Sequence, residues 1–400
     1  MNNEQQGKFD FIDALRGFAI LLVIVHHAMR AVALHGAMGK EGLMSPWLQT
    51  YWADGARGVQ LFFVISALTL CLSAAKRSTG QSQWTDFAIR RLFRIAPMFY
   101  VAFVFYCVWP LVRGKLGTDV PSISNIIATL TFVNGWYPAS ITSHVLVPAG
   151  WSVGVEMSFY VVFPTIFIAA CTLRKSLIAL CISLVFAIVA NHILLTHAVI
   201  ESRSDLETFA FFWLPNQLPV FIVGFVLYHL LFGSHSAVKV DWLNQHPGYL
   251  QAAKVAVLVV APFMPFLHIP GIPSHIQYAA FIALVVTLLR FKKPVVLVNR
   301  MVCFVGKVSY SAYLVHFAVL AHVTNFLNTR GLNERLSANE YWLMLSILAV
   351  AGTIVIATIT HRLIEEPGQR LGKRLSDALA AKRAADLARQ NAVSKDIAVE

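Results

Sequence analysis

The sequence predicts an all-α, polytopic membrane bundle of about ten transmembrane helices with both termini in the cytoplasm. Three observations carry that prediction. The 400-residue chain is 57% hydrophobic and 13% charged, about half the charge of a soluble domain. It divides into apolar runs near the ~20 residues that cross a bilayer as a helix. Its basic residues are also unevenly shared between the connecting segments. With the N-terminus inside, 24 of the 32 lysines and arginines fall on inner segments and 8 on outer ones, the bias that sets orientation. That bias assigns the net charge of +12 to cytoplasmic loops rather than to a nucleic-acid surface.

The runs fall at 17–34, 58–75, 95–112, 153–173, 177–195, 209–232, 252–267, 272–289, 302–321 and 342–360. The eighth is the weakest, because Pro273 and His275 stand at its entry. The first belongs to the stretch IDALRGFAILLVIVHHA, which places two histidines inside the apolar run. A cleaved leader ending at Ala31-Val32-Ala33 is a competing reading, disfavoured by paired histidines and by the many later spans. His27 lies eleven residues after Arg16, about 20° past three full turns, so the two share a face about 16 Å apart along the axis. His26 points about 80° away from Arg16 and reads as a core residue.

The third run is entered through FAIRRLFRIAP. Either Arg90 and Arg94 or Arg91 and Arg94 share a helix face there. A basic cluster at an inner end serves orientation, and arginine forks also suit phosphate. The outer loop 113–150 contains SISNIIATLTFVNGWYP, too short an apolar run to span, and reads as an interfacial or re-entrant helix or a lid.

The fourth run opens with WSVGVEMSFY, where Ser152, Glu156 and Tyr160 recur every four residues and form one polar stripe. A glutamate at that depth needs a partner, with His27 or an arginine expected. The ninth contains GKVSYSAYLVHF, with Ser309, Tyr313 and His316 on one face. Structural pairing and core packing are the competing readings for both stretches.

The five cysteines form no CxxC or Cys/His cluster; they read as small core hydrophobes, and no metal site is expected. The chain divides into a transmembrane domain over 1–370 and a charged helical tail over 371–400. Leu371, Leu375, Leu379 and Leu387 lie near one face of that tail, a solvated or membrane-surface helix.

IDALRGFAILLVIVHH, FFVISALTL, RRLFRIAPMFY, WSVGVEMSFYVVFP, GKVSYSAYLVHF and RLIEEPGQR occur in this order. Together they resemble the acyltransferase-3 family of membrane acyltransferases, which acylate bacterial surface polysaccharides and other secreted or small-molecule acceptors. The similarity runs from about residue 9 to residue 370. The family's arginine–ten residues–histidine motif falls on Arg16 and His27. Its arginine–two residues–arginine motif falls on Arg91 and Arg94, and its glutamate on Glu156. The sequence departs at Ala67, where the family usually has glycine, and at Met157, where a second acidic residue is common.

The resemblance implies a bacterial inner-membrane enzyme. It would move an acyl group, acetyl by default, from cytosolic acyl-CoA to a hydroxyl of an extracytoplasmic acceptor, such as a surface polysaccharide or its lipid-linked precursor. Acyl-CoA is then a co-substrate, with no bound cofactor and no nucleic acid among its partners. On this reading His27, Glu156 and Arg16 are catalytic. Arg91, Arg94, Tyr160, Ser309, Tyr313 and His316 bind substrate. No soluble esterase-like domain follows the tenth run, so any such activity is expected on another chain. Two other classes remain open: a transporter using Glu156 and His27 as a proton relay, and a non-catalytic scaffold.

Overall fold

The computed structural model describes residues 10–34, 49–50, 54–76, 81–112, 122–142, 145–197, 202–232, 248, 251–252, 256, 264, 273–291 and 297–397. Among them every regular element is helical. Six helices or joined pairs are long and apolar enough to cross a membrane: Asp10–Val32, Gly55–Ala75, Gly150–Ala169, Leu173–His197, Arg203–Phe232 and Ala338–Arg383. A seventh arises if Arg300–Lys307 and Ser309–Thr329 count as one span.

The helices are α1 (Asp10–Leu34), α2 (Gly58–Ala75), α3 (Gln81–Val112), α4 (Ile123–Leu130), α5 (Gly150–Ala169), α6 (Leu173–His197), α7 (Arg203–Phe212), α8 (Leu214–Phe232), α9 (Ser274–Phe291), α10 (Arg300–Lys307), α11 (Ser309–Thr329), α12 (Leu332–Arg335), α13 (Ala338–Thr360) and α14 (Glu366–Ile397). The expected third run lies within α3. The seventh, 252–267, lies almost wholly outside the described residues. The eighth becomes α9, whose apolar part Ser274–Leu288 is shorter than a span.

Two runs are broken rather than straight. The sixth parts at Trp213, between α7 and α8. Its interrupted backbone is satisfied by side chains, since Asn216 Nδ2 and Gln217 Nε2 both donate to the carbonyl of Phe211 at 2.9 and 2.7 Å. Such repair is what non-helical backbone needs at membrane depth. The ninth run was expected to start at residue 302 and continue unbroken. Instead α10, whose N-terminus is capped by Asn299, turns 78° at Val308 into α11. The bend carries Ser309 and Tyr310 to the head of α11.

α1 is the packing centre, lying against α2, α10, α11 and α13. Small residues permit the closest approaches. A Cβ on Gly17 would meet the backbone of Val302, and one on Gly306 would meet that of Asp13. These contacts press α10 onto the end of α1 that carries Arg16.

The loop 113–150 holds the short helix α4, its N-terminus capped by Ser122. It docks along the first turns of α5 through Asn134 Nδ2 to the carbonyl of Gly150 at 3.0 Å and Trp136 Nε1 to Ser158 Oγ at 2.8 Å. The helix α14 runs unbroken across residue 370 and packs along α3. Its seam is Gly368, Gly372 and Ser376, whereas Leu371 and Leu375 of the expected apolar face are exposed. Of the cysteines, Cys71 is buried as expected, but Cys171 and Cys181 are exposed on the outside of the bundle.

Candidate active site

A cleft opens between α1, α2, α3, α5 and the bend before α11. Seven of the nine residues singled out from the sequence line it: Arg16, Arg91, Arg94, Glu156, Tyr160, Ser309 and Tyr313. Each arrives for a local reason. Arg16 is on the first turns of α1, where Asp13 pairs with it at 3.6 Å and Thr69 of α2 accepts from it at 3.4 Å. Arg91 and Arg94 are three residues apart and share a face of α3. The guanidinium of Arg91 lies over the rings of Phe87 and Tyr160, at 5.8 and 6.0 Å.

The polar stripe of α5 faces into the cleft. Ser66 of α2 and Tyr160 each donate to Oε1 of Glu156 at 2.6 Å. Short bonds of this kind are typical of a charged acceptor. The glutamate is therefore held by two hydroxyls in a wall that also carries three arginines. The expected partner was His27 or an arginine; the direct hydrogen bonds come instead from Ser66 and Tyr160, while Arg16, Arg91 and Arg94 line the same cleft and His27 does not. Ser152, four residues earlier, is hydrogen-bonded to the Tyr313 hydroxyl at 2.7 Å. That bond ties the head of α5 to α11.

His27 lines a second cavity, with Arg30, Phe317, Thr324, Asn325 and Asn328 among its walls. Its ring lies tilted against that of Phe317 at 4.4 Å and that of His316 at 5.3 Å, between centroids. His26 is buried edge-on beside it at 4.9 Å. His316 lines neither cavity. It is fully buried between them, and its ring lies 5.7 Å from that of Tyr313 on the cleft side. The face of α1 shared by Arg16 and His27 thus serves two cavities, with His316 in the wall between them.

Some site residues carried no assignment from sequence. Ser66 and Thr69 lie in FFVISALTL, and a hydroxyl pair three residues apart in an apolar run was the available signal. Tyr310 enters the cleft only because of the bend at Val308; its hydroxyl donates to the carbonyl of Ile95 at 2.9 Å, next to Arg94. Glu365, in a π-helical turn over His361–Glu365, is buried and accepts from Ser311 at 2.7 Å and from Gln369 at 3.0 Å. It braces α11 against α14 outside the cleft. Among the described residues no group of three or more histidines, cysteines and carboxylates is placed to hold a metal ion.

The chain matches a family model described as "Acyltransferase domain" over residues 9–361. It is 26% identical over 403 aligned residues to a Staphylococcus aureus (strain COL) protein named, provisionally, as an O-acetyltransferase, covering 90% of this chain and 57% of that protein. It is 26% identical over 252 residues to the exopolysaccharide production protein ExoZ of Rhizobium meliloti (strain 1021), covering 58% of this chain and 76% of that one. A Caenorhabditis elegans protein named regulator of hypoxia-inducible factor 1 is 26% identical over 181 residues, covering 40% of this chain and 34% of its own. The chain thus spans a little over half the length of the Staphylococcus relatives it matches. No solved structure matches it.

Proposed function

The chain belongs to the acyltransferase-3 family, and from that premise we propose that it transfers an acyl group, acetyl by default, from cytosolic acyl-CoA to a hydroxyl of an acceptor reached from the other side of the membrane. The acceptor class we favour is a surface polysaccharide or its lipid-linked precursor, in keeping with the name of the Rhizobium relative. The proposal includes a bacterial inner membrane, about ten spans and both termini on the cytoplasmic side.

The observation that carries this reading is the approach of the two cavities. Tyr313 lines the inner cleft and Phe317 the outer cavity, and they are one helical turn apart on α11. The cleft offers Arg16, Arg91 and Arg94 against the single lining carboxylate Glu156. That suits the phosphates of a CoA donor, with its thioester directed toward Tyr313. The outer cavity offers His27 together with Thr324, Asn325 and Asn328, groups that suit a hydroxyl-rich acceptor.

In this mechanism His27 takes the proton of the acceptor hydroxyl as the oxygen attacks the thioester carbonyl. The C–S bond then breaks, and the CoA thiolate recovers the proton from His27. A positioned base of this kind contributes roughly 10²–10⁴-fold in rate. Glu156 holds the cleft's arginine wall, and Arg16 acts on the donor.

Radiolabelled acetyl-CoA and full-length protein in membranes test the reading. His27→Ala lowers transfer at least a hundredfold in folded, inserted protein, and His26→Ala keeps most activity. Near-normal turnover of His27→Ala overturns the base assignment. Label that accumulates on the enzyme without acceptor replaces direct attack by an acyl-histidine route. Two facing cavities are also what a transporter presents; counterflow uptake without acyl transfer would establish that reading instead.

A further inference from the structure

The Nδ1 of His316 lies 2.6 Å from the carbonyl oxygen of Tyr313, one turn back on α11. A carbonyl only accepts, so this nitrogen carries the ring hydrogen. In the neutral ring Nε2 is then a bare acceptor. It is fully buried and has no hydrogen-bond partner among the described residues. A buried polar atom in that state is costly and calls for an explanation. One wall beside it is the apolar ring of Phe317, at 4.3 Å between centroids, and the neighbouring polar ring is His27, at 5.3 Å with planes 37° apart. No hydrogen bond joins the two rings in this structure, and a centroid separation of 5.3 Å leaves them close enough to form one by a small turn of the rings edge to edge.

The turn that carries His316 is itself clamped. The Tyr106 hydroxyl, reaching in from α3, donates to the carbonyl of Leu314 at 2.9 Å and accepts from the amide of Ala318 at 3.2 Å. Those are the two groups a regular helix joins to each other. The residues on either side of His316 are therefore anchored from a second helix.

We propose that His316 is the positioning residue of this site: its Nε2 accepts the N–H of His27 and holds His27 in the tautomer whose other nitrogen is bare toward the outer cavity. The inference rests on the reading of His27 as the base. When that bare nitrogen takes the hydroxyl proton, His27 becomes an imidazolium with a second N–H inside the bundle. His316 accepts the N–H that His27 already carried on its other nitrogen and so stabilises the imidazolium, the part a carboxylate plays behind the histidine of a serine hydrolase. His316 forms and breaks no covalent bond, and the proton returns from His27 to the departing thiolate. A neutral acceptor also avoids adding a charge to a buried site before reaction.

The test uses the full-length protein in lipid nanodiscs, labelled with 15N-histidine, with His27 assigned by its loss in His27→Ala. Turnover is followed with acetyl-CoA and water as the acceptor. The wild type is expected to show one tautomer at His27, and His316→Gln, which keeps an acceptor oxygen, is expected to preserve it. His316→Leu is expected to mix the His27 tautomers and lower kcat by about 10–100-fold, the usual span for a supporting residue. The KM for acetyl-CoA should stay within about twofold, because His316 does not line the donor cleft.

Mixed tautomers in the wild type overturn the proposal without any variant. A single His27 tautomer in folded His316→Leu, or equal impairment of the Gln and Leu variants, overturns it as well. An inactive His27→Ala beside a fully active His316→Leu sinks the positioning role alone, whereas an active His27→Ala sinks the base reading beneath it.

Discussion

Arg90 of α3 and Asp377 of α14 are joined at 2.9 Å, and Arg90 Nε also donates to Ser376 Oγ at 3.1 Å. The pair faces away from the cleft and binds the C-terminal helix to the helix that carries Arg91 and Arg94.

This geometry separates three arginines that are close in sequence. Arg91→Lys keeps the charge but loses the planar fork. It is expected to raise the apparent KM for acetyl-CoA about tenfold, equivalent to about 1.4 kcal/mol of donor binding. The KM for the acceptor should change little. Arg90→Ala is expected to leave both constants near their wild-type values. Steady-state kinetics at matched protein levels check both, and an Arg90→Ala donor KM as high as that of Arg91→Lys would contradict the assignment.

The seam beneath that pair predicts a coupling between the tail helix and the donor site. A Cβ on Gly372 would collide with the side chain of Phe93, and one on Gly368 would press on Pro97. Gly372→Val therefore overpacks the contact, at a cost of about 1–3 kcal/mol. Displacing α14 also shifts the opposite face of α3, where Arg91 and Arg94 stand. A lower thermal midpoint in detergent together with a raised KM for acetyl-CoA is expected. Unchanged values for both would mean that α14 is only an appendage.

The two hydroxyls on Glu156 make a third prediction. Ser66→Ala and Tyr160→Phe each strip one donor from the carboxylate, and a hydrogen bond to a charged group contributes about 1.5–3 kcal/mol. Because both donors meet the same oxygen, their effects on turnover should be non-additive in a double-mutant cycle. Glu156→Gln keeps an acceptor oxygen but removes the charge facing Arg16, Arg91 and Arg94. Turnover is expected to fall at least tenfold while the thermal midpoint changes little. Wild-type turnover in Glu156→Gln would reduce the glutamate to a packing group.

The uneven distribution of lysine and arginine makes a fourth. A reporter fused after Glu400 that is active only outside the inner membrane should be inactive, and one active only in the cytoplasm should be active. The reverse pattern overturns the proposed orientation.

Much of the site was legible in the sequence because helix periodicity is a local property. A spacing of four put Ser152, Glu156 and Tyr160 on one stripe. A spacing of three put Arg91 with Arg94, and an ionisable residue in an apolar run marked Glu156 and His27 as costly groups needing partners. Helix periodicity left open whether Arg90 or Arg91 partners Arg94, since both satisfy a helix face, and the family resemblance assigned Arg91. The choice depends on what α14 offers on one side of α3 and what the cleft offers on the other.

The broken helices were hidden for a related reason. Hydropathy over 302–321 is that of a continuous span, and the 78° turn at Val308 exists because the cap at Asn299 and the contact of Gly306 with Asp13 hold α10 across α1. Without that turn Tyr310 would not reach the cleft. In the tail, Leu371 and Leu375 stay exposed and the contact with α3 is made by Gly368, Gly372 and Ser376, since small residues let helices approach closely.

By itself, then, the sequence determined the all-helical class, most of the runs, and which side chains are too polar for lipid, because these follow from composition and from the rotation of 100° per residue along one helix. Only the tertiary structure decided which of those side chains meet. It gave Glu156 to the hydroxyls of Ser66 and Tyr160 rather than to His27 or an arginine, set His27 in a cavity apart from Arg16, Arg91 and Arg94, and put His316 in the wall between. The physical reason is that pairing depends on the rotation, tilt and spacing of separate helices. Those are set by close contacts such as Gly306 on Asp13 and Gly372 on Phe93, between residues 293 and 279 positions apart in a chain whose periodicity carries information over only a few turns.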